Sequence, residues 1–350
     1  MPTQIMPQGI HAQSNARPPT TLLDGGMGRE LERRGAPFRQ PEWSALALSL
    51  APESVRDIHL DYIKAGATVI TVNSYAVTPY HLGAKFFSDG EQLIETAAKL
   101  AFEAVQESKK LISVTSIASA APIIAPVKIA GCLPPLFGSY RPDLFDPKQA
   151  PVIARPLLAA QIAYVDIWLV ETQSSIIEAT TWQQLITDFT ENENKTTPKP
   201  IWIAFTLDDS QLDIADNSSE AKLGKPTPTL RSGETVAEAV RAMMALNVTA
   251  ILFNCSQPEV MDSALQVAKA IVNEAGDKQQ LGVYANAFAS KQVHKQANAQ
   301  LRQIRTDTTP EHYLKWATLW QASGADIIGG CCGIGVEHIA LFAQHIKDTP

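Results

Sequence analysis

The sequence predicts an α/β fold, a single (β/α)8 TIM barrel with loop insertions. Short apolar, β-branched runs alternate with longer stretches of helical spacing, and eight such runs occur in 350 residues. Continuous apolar strands between amphipathic helices indicate a parallel sheet that is covered on its outer face. Eight units of this kind fit a barrel, which usually takes roughly 250 residues but tolerates longer loops.

The eight strand runs, in chain order, are TTLLDGGM, ATVITVNSY, VKIAGCLPP, VDIWLVETQ, PIWIAFTL, TAILFNCSQ, LGVYANAF and ADIIGGCCG. The segments with helical spacing are PESVRDIHLDYIKAGA, EQLIETAAKLAFEAVQESKK, APVIARPLLAAQIAYV, ETVAEAVRAMMALNV, PEVMDSALQVAKAIVNEAG and TPEHYLKWATLWQASGA. Several begin with proline in the first turn and end at glycine or asparagine, which are helix boundary signals. The stretches 111–127, 208–233 and 289–309, and ENENKTTPKP before the fifth strand, predict loop insertions.

The domain organisation follows from composition. Residues 1–19 are rich in Pro, Gln, Asn and Ser and predict a flexible N-terminal arm, and residues 20–350 predict one barrel domain. With 29 Lys and Arg against 36 Asp and Glu, the net charge is -7, and without a basic block we expect no nucleic-acid partner. No apolar window approaches a membrane span and no secretory signal is visible, so we expect a cytoplasmic protein without a membrane partner. The oligomeric state stays open.

An open, doubly wound sheet is the competing architecture, because it shows the same alternation of strands and helices. Its first strand is usually followed by a G-x-G-x-x-G fingerprint, and LDGGMG lacks the third glycine at that spacing. The barrel makes a sharper prediction, namely that functional side chains gather at the carboxyl ends of the strands.

Three of the four cysteines stand at such strand ends. Cys255 follows the sixth run, and Cys331 and Cys332 lie side by side between glycines after the eighth. Thiolates favour Zn²⁺, and three protein ligands leave one position open for water or substrate. Adjacent cysteines can share a metal only where the strand has ended and the backbone turns, which flanking glycines permit. Position alone leaves open the alternative that these cysteines fill the core.

Other strand ends carry candidate polar groups. Cys132, at the third, is predicted to fill the core, with a fourth metal ligand or a reactive thiol as alternatives. Asp24 and Glu171 are acids at the ends of apolar runs, where they form a helix cap and an ion pair at the barrel rim, or else bind a cation such as a substrate ammonium. The backbone N–H groups of Gly25 and Gly26 are candidates for binding a carboxylate.

These residues resemble a known family. LLDGGMGRELERRG, AGATVITVNSYAVTP, IAGCLPP, VETQSSIIEA, PIWIAFTL, FNCSQPEVM and GADIIGGCCG, in this order, are similar to the zinc-dependent homocysteine S-methyltransferases. The resemblance covers nearly the whole chain and implies a (β/α)8 barrel with Zn²⁺ held by Cys255, Cys331 and Cys332. It implies transfer of a methyl group to the thiolate of homocysteine, which gives methionine.

The resemblance also implies the remaining roles. By position, Asp24 and Glu171 bind the amino group of homocysteine, and the amides of Gly25 and Gly26 bind its carboxylate. Tyr75 is expected close to the reacting sulfur. The predicted substrate-binding set is completed by two further residues, Trp43 and Asn254.

The methyl donor is the least determined part of the prediction. Trp43 and the Glu171-Thr172 pair resemble members that use a sulfonium donor, S-methylmethionine or S-adenosylmethionine. Two departures stand against a direct transfer of the family pattern: the seventh strand end, 284–288, lacks the usual Tyr-Pro-Asn, and Cys132 replaces a serine. The alternatives are a betaine-like donor, a selenocysteine acceptor, or a non-catalytic thiol or zinc-binding protein.

Overall fold

The computed structural model describes residues 19–116, 126–194, 197–210, 212, 227–288 and 303–348. Its strands are β1 Thr21–Leu22, β2 Val69–Thr71, β3 Lys128–Leu133, β4 Ile167–Gln173, β5 Ile201–Phe205, β6 Ala250–Asn254, β7 Gln280–Tyr284 and β8 Ile327–Ile328. Neighbouring strands are parallel and follow the order β1-β8-β7-β6-β5-β4-β3-β2. Every predicted run therefore contains one strand.

The sheet closes between its two edge strands. Leu23, which directly follows β1, forms a parallel bridge with Val69 in β2. The Asp24 N–H donates to the Val69 carbonyl at 3.1 Å, and the Thr68 N–H donates to the Leu22 carbonyl at 2.8 Å. The fold is thus the predicted (β/α)8 barrel, and the open sheet is excluded.

The helices in the described ranges surround this barrel. They are α1 Met27–Arg33, α2 Ala45–Leu50, α3 Pro52–Ala65, α4 Pro79–Leu82, α5 Lys85–Ser116, α6 Ala150–Gln161, α7 Ile176–Asp188, α8 Val236–Ala245, α9 Pro258–Ala275, α10 Pro310–Ser323 and α11 Val336–Asp348. The six predicted helices correspond to α3, α5, α6, α8, α9 and α10. Helices α7 and α11 were not predicted, and they complete the fourth and eighth units. Among the described helices, none is both long and apolar enough to cross a membrane.

Parts of the predicted insertions are regular structure. Helix α5 continues to Ser116, so the predicted loop 111–127 is wrong over 111–116, where LISVTS contains no glycine or proline to end a helix. A π-helical turn, Phe189–Asn194, likewise takes in residues 191–194 of the stretch before β5.

The rest of these predictions falls largely outside the described residues. This holds for residues 1–18 of the predicted arm, for 117–125, 211 and 213–226, and for 289–302. The described ends of the two later insertions return to the barrel. Leu207 forms an antiparallel bridge with Leu230, and Phe288 forms one with Ile304.

The barrel interior is a packed apolar core to which every strand unit contributes. Its buried members are Leu23, Val69, Ala130, Ile167, Leu169, Trp202, Ala204, Ala250, Leu252, Tyr284 and Ile327. A second cluster fills the layer between the sheet and the helices. The interior core forms the floor of the carboxyl-terminal end, where Tyr284 belongs both to this core and to the cavity described below.

Trp202 is the largest side chain of the interior core and is 5% exposed. We expect Trp202→Ala to lower the free energy of unfolding by about 3–5 kcal/mol, because the barrel wall cannot collapse into the space that the indole leaves. Urea unfolding measures this difference. Val152→Ala, on a side chain 63% exposed on α6, is the matched control and should change it by less than about 0.5 kcal/mol. Equal effects of the two substitutions on the free energy of unfolding would contradict a stabilising role of Trp202 in the interior core.

Candidate active site

A cavity of about 220 Å³ lies at the carboxyl-terminal ends of the strands. Its lining includes three cysteines, two buried carboxylates and several aromatic rings. The predicted site residues that line it are Asp24, Gly25, Gly26, Trp43, Tyr75, Glu171, Cys255, Cys331 and Cys332. The barrel thus brings all but one of the predicted residues to this cavity, the exception being Asn254. Trp43 stands at no strand end and was predicted from the resemblance alone.

Three thiols converge at one side of this cavity. The sulfur atoms of Cys255, Cys331 and Cys332 all lie within 4.8 Å of one another, and the Cys331 thiol is 3.0 Å from the Cys255 sulfur. Strand β8 ends at Ile328, so the adjacent cysteines lie beyond the strand, as the prediction requires. Gly333 follows them with a φ of 86°, a conformation that favours glycine.

The backbone around the adjacent cysteines is fixed from two sides. The Cys331 N–H donates to the Ala285 carbonyl at 2.9 Å, and the Ala287 N–H donates to the Cys332 carbonyl at 2.8 Å. From the other side, Gly26 approaches so closely that a Cβ there would lie 2.6 Å from the Cys331 carbonyl oxygen. The segment after β7 and the turn after β1 therefore hold the two cysteines between them.

The thiol cluster fits a metal ion. Tetrahedral Zn²⁺ with bonds of about 2.3 Å would require sulfur ligands about 3.8 Å apart. That separation lies between the 3.0 Å of the Cys331–Cys255 pair and the 4.8 Å within which all three sulfurs lie. Hydrogen bonding with Cys255 and burial raise the pKa of the Cys331 and Cys332 thiols above the ordinary value. Three thiolates this close need a cation between them, and soft sulfur ligands suit Zn²⁺.

The second functional group is a pair of buried carboxylates. Asp24 accepts hydrogen bonds from the Thr71 N–H at 2.8 Å and the Thr71 hydroxyl at 3.1 Å. Burial raises the pKa of Asp24 to about 7, and the negative charge of Glu171 adds to the rise. Burial likewise raises the pKa of Glu171 to about 7. Two buried acids that face one cavity favour a cationic ligand, whose charge offsets their desolvation.

The alternatives considered for these acids do not match their contacts. The N-cap of α1 is Gly26, without a side-chain cap, so Asp24 does not cap that helix. Glu171 accepts hydrogen bonds from the Cys132 thiol at 2.8 Å and the Tyr284 hydroxyl at 3.4 Å. Its described partners are thus a thiol and a phenol rather than the cation of a rim ion pair.

Cys132 is fully buried and lies outside the thiol cluster that the described residues form. The alternative of a fourth metal ligand is therefore not supported by its position. Its thiol donates to Glu171, so it does more than fill the core. That hydrogen bond lowers the pKa of Glu171 against the effect of burial.

Tyr75 and Trp43 both line the cavity. The Tyr75 hydroxyl lies 2.6 Å from the Ser139 hydroxyl, and burial, with the nearby Cys255, raises the pKa of Tyr75 well above the ordinary value. Trp43 packs edge-on against Phe38, with ring centroids 5.4 Å apart. Tyr75 thus lines the same cavity as the thiol cluster, and its expected closeness to the reacting sulfur stays a prediction.

Asn254 lies behind the cavity wall. Its side-chain oxygen accepts from the Thr172 N–H at 3.0 Å, and its amide donates to the Thr172 hydroxyl at 2.8 Å. It is fully buried and is not among the residues that line the cavity. Its position therefore supports a role in holding Thr172, which does line the cavity, instead of the predicted contact with substrate.

The prediction for Gly26 needs correction. Its N–H already donates to the Ile334 carbonyl at 2.9 Å, so it is not free to bind a substrate carboxylate. The requirement for glycine here is steric, as its close approach to Cys331 indicates. Gly25 remains the candidate of the two. Arg29, which also lines the cavity and pairs with Glu32 at 2.5 Å, adds a positively charged group.

The cavity residues that the sequence analysis did not predict include Arg29, Tyr140, Tyr284 and Phe288, and a signal existed for only some of these. Tyr284 is the last residue of β7, where the strand-end rule could have found it, and Phe288 follows shortly after. Arg29 lies in the first turn of α1, a helix that was not predicted. Tyr140 belongs to the loop after β3, and no local pattern marks it.

Four cavity residues other than glycine have positive φ angles, which is rare and strained for most side chains. They are Trp43, Tyr140, Thr172 and Cys255, with φ angles of 50°, 63°, 62° and 52°. Among the described residues, Asn247 is the only other example. Such strain collects at functional sites, because the surrounding structure must hold these residues in place.

Thiols and buried acids at the carboxyl-terminal rim of a barrel define this protein as an enzyme that acts within that cavity. The family model described as Homocysteine S-methyltransferase matches residues 21–346. The chain belongs to the homocysteine S-methyltransferase family, and it is a methyltransferase of that class.

Known relatives agree with this assignment over nearly their full length. The homocysteine methyltransferase MmuM from Escherichia coli, in its metallated form, has a TM-score of 0.68 at 26% identity, covering 93% of this chain and 96% of that chain. Homocysteine S-methyltransferase YbgG of Bacillus subtilis is 28% identical over 345 residues, 95% of this chain and 96% of the relative. The selenocysteine methyltransferase of Astragalus bisulcatus is 28% identical over 328 residues, 89% and 88% of the two chains.

The contact between Cys132 and Glu171 leads to a prediction. We expect Cys132→Ala to raise the pKa of Glu171 above about 7, because the carboxylate loses a hydrogen-bond donor while it stays buried. Carboxyl ¹³C NMR with labelled glutamate measures the titration, and Glu171→Gln assigns the signal. Cys132→Ser is the control, since a hydroxyl retains the donor. A titration that is identical in all three Cys132 forms would contradict this role.

Proposed function

We propose that this enzyme transfers a methyl group from a sulfonium donor to homocysteine, with Zn²⁺ held by Cys255, Cys331 and Cys332. The observation that carries the proposal is the convergence of three sulfurs within 4.8 Å of one another in a cavity that also contains a buried acid pair. This combination suits a substrate that carries both a thiol and an ammonium group.

The chain's own residues bind and orient the acceptor. Asp24 and Glu171 hold the ammonium group of homocysteine, whose charge keeps both acids ionised in the cavity. The thiol then lies towards the cysteine cluster. When bound, zinc keeps this thiol deprotonated at neutral pH and so supplies a nucleophilic thiolate. We assign the substrate carboxylate to the Gly25 amide and the Arg29 guanidinium, because the Gly26 amide is already engaged.

The transfer itself needs positioning more than acid or base catalysis. The methyl carbon leaves the donor sulfur, which keeps the bonding electron pair, and forms its new bond to the substrate sulfur. The thiol proton has by then passed to solvent. The products are methionine and the neutral, demethylated donor. The cavity walls align the two sulfurs with the methyl carbon and exclude water, which accounts for a large part of such an acceleration.

The donor assignment rests on the aromatic lining. A sulfonium cation is attracted to the faces of aromatic rings. The aromatic rings that line the cavity include those of Phe38, Trp43, Tyr75, Tyr140, Tyr284 and Phe288. Trp43 and Thr172, on which the sequence-based preference for S-methylmethionine or S-adenosylmethionine depends, both line the cavity. The mechanism needs reduced thiols, and we therefore propose a reducing compartment, the cytoplasm, as its place of work.

A second acceptor has support from one specific comparison. The relative from Astragalus bisulcatus is a selenocysteine methyltransferase and matches about as well as the homocysteine enzymes. Selenocysteine offers the same ammonium and carboxylate groups with a softer nucleophile. The acid pair and the thiol cluster would hold it in the same orientation, so we propose it as an alternative acceptor for the same site.

A direct assay tests the function. Zinc-loaded protein is incubated under reducing conditions with homocysteine and, in turn, S-methylmethionine, S-adenosylmethionine or betaine, and methionine is measured by mass spectrometry. We expect product with a sulfonium donor. Cys255→Ala should lose zinc and activity together, because only two of the three thiols remain to hold the metal. Cys132→Ala, the control, removes a buried cysteine outside the cluster and should keep its zinc.

The outcomes separate the alternatives. Product only with betaine would replace the donor assignment, and selenocysteine in place of homocysteine tests the second acceptor. Full methyl transfer by a zinc-free Cys255→Ala variant would overturn the metal-dependent mechanism. Zinc binding without product from any donor and acceptor would favour a non-catalytic zinc-binding protein.

The acid pair predicts a pH dependence of homocysteine binding. Asp24 and Glu171 have pKa values of about 7, so both acids gain protons and lose their negative charge as the pH falls through 7. We therefore expect affinity for homocysteine to fall below pH 7. Glu171→Gln should weaken binding at pH 8 by about 10- to 150-fold, the effect of a hydrogen bond to a charged group, without loss of zinc.

Isothermal titration calorimetry on the zinc-loaded protein measures both effects. In the Glu171→Gln variant, the affinity for homocysteine should depend on pH more weakly, because only Asp24 and the substrate thiol still change their protonation. Glu95→Gln, on the outer face of α5 and paired with Lys99, is the control and should bind as wild type does. Unchanged affinity in Glu171→Gln would remove the proposed role of Glu171 in holding the ammonium group.

A further inference from the structure

Tyr140 reaches from the loop after β3 to the metal-ligand candidate at the end of β6. Its hydroxyl donates to the Cys255 sulfur at 3.0 Å and lies 3.2 Å from the Cys255 carbonyl oxygen. A phenol has one proton to donate, and a thiolate accepts it better than a neutral carbonyl because its charge strengthens the hydrogen bond. The observed contact of 3.0 Å is thus the one that a thiolate at Cys255 would strengthen.

The conformation of this loop is held against local preference. Tyr140 has a φ of 63°, and Gly138 has a φ of 113° with its backbone packed against the Tyr80 ring, where a Cβ would lie 2.6 Å from a ring carbon. A strained tyrosine beside a closely packed glycine indicates that the position of the phenol is specified.

A buried ion pair supports the ring of Tyr140 from behind. The Arg231 guanidinium lies 4.5 Å from the centroid of that ring. Arg231 pairs with Asp209 at 2.8 Å, and the two side chains are only 9% and 4% exposed. A buried ion pair adds little to the stability of a fold, because the cost of removing both charges from water offsets their attraction. Its contact with the Tyr140 ring therefore indicates that it holds this ring in place.

The same ion pair also contacts the segment that carries Cys255. Arg231 donates through Nε to the Thr206 hydroxyl at 3.0 Å, and Asp209 accepts from the Gln257 N–H at 3.2 Å. Arg231 and Asp209 belong to the described ends of the 208–233 insertion. One role of that insertion is thus to place a charged pair under Tyr140 and beside the Cys255 segment.

We infer that Tyr140, held by the Arg231–Asp209 pair, is a positioning residue that lowers the nucleophilicity of the Cys255 sulfur. The inference rests on the proposed function, in which the substrate sulfur must accept the methyl group while ligand sulfurs lie close by. A hydrogen bond withdraws electron density from Cys255 and occupies one of its lone pairs. A guanidinium over the ring strengthens the hydroxyl as a donor.

Without this hydrogen bond, Cys255 becomes a competitor for the methyl group. The donor's carbon–sulfur bond would break with its electron pair on the donor sulfur, and the methyl carbon would bond to the Cys255 sulfur. The product is S-methylcysteine, a neutral thioether in place of an anionic ligand. The enzyme would lose both a metal ligand and its activity with each such event.

The test uses the full chain with Co²⁺ in place of Zn²⁺. We expect Tyr140→Phe to move the thiolate-to-cobalt charge-transfer band to lower energy, because a thiolate without its hydrogen bond gives up electron density more readily. Tyr164→Phe is the matched control, because its hydroxyl contacts Glu95 in the outer helical layer at 3.4 Å.

A second readout measures the methylation of Cys255. On prolonged incubation of the zinc form with a sulfonium donor, peptide mass spectrometry should find a methylated Cys255 in Tyr140→Phe and much less in wild type. Arg231→Lys keeps the charge but loses the planar contact with the ring, and it should shift the cobalt band in the same direction by a smaller amount. If Tyr140→Phe fails to fold, Arg231→Lys provides both readouts.

The outcomes are distinct from those of the proposed function. An unchanged cobalt spectrum together with an unmodified Cys255 in Tyr140→Phe would overturn the inference, whatever the activity. Absence of methyl transfer by wild type with every donor would instead overturn the proposed function, since the cobalt spectrum requires no turnover.

Discussion

Three cysteine sulfurs within 4.8 Å of one another constrain the whole carboxyl-terminal rim of the barrel. They come from two strand ends, and adjacent strand residues would point to opposite faces, so β8 must stop before Cys331. The turn that follows is held by hydrogen bonds to Ala285 and Ala287 and by the steric fit of Gly26. Strands β1, β6, β7 and β8 therefore have to keep a common register for the sulfurs to meet.

The buried acids impose a second, electrostatic constraint. Burial raises the pKa of both acids to about 7, and the negative charge of Glu171 adds to the rise for Asp24, so both lie near the midpoint of their titration at neutral pH. A bound ammonium group reverses this balance, since an opposite charge in a poorly solvated site favours both ionised forms. The thiol cluster has the complementary requirement for a cation. The acid pair and the thiol cluster thus both favour a positively charged ligand, and both line the same cavity.

Most of the fold and much of the site could be predicted, because periodicity and strand ends are local signals and a barrel places all those ends on one rim. Cys255, Glu171 and Asp24 were found in this way. The missed contacts depend on loops that meet only in the folded chain: Tyr140 and Cys255 are 115 residues apart, and neither residue's surroundings in the sequence point to the other. The engaged amide of Gly26 and the thiol of Cys132 on Glu171 likewise follow from tertiary packing.

The two positions at which the sequence departs from the expected pattern, Ala285 and Cys132, both make hydrogen bonds to residues of the cavity. Ala285 holds Cys331 through its carbonyl, a group that a proline at the same position would also present. Cys132 donates a hydrogen bond to Glu171, as a serine hydroxyl would, although a thiol is the weaker donor. A weaker hydrogen bond offsets less of the rise in pKa that burial causes, which is consistent with a pKa of about 7 for Glu171. Cys132 therefore acts on the protonation of Glu171, whereas Ala285 holds the backbone of Cys331 in the thiol cluster.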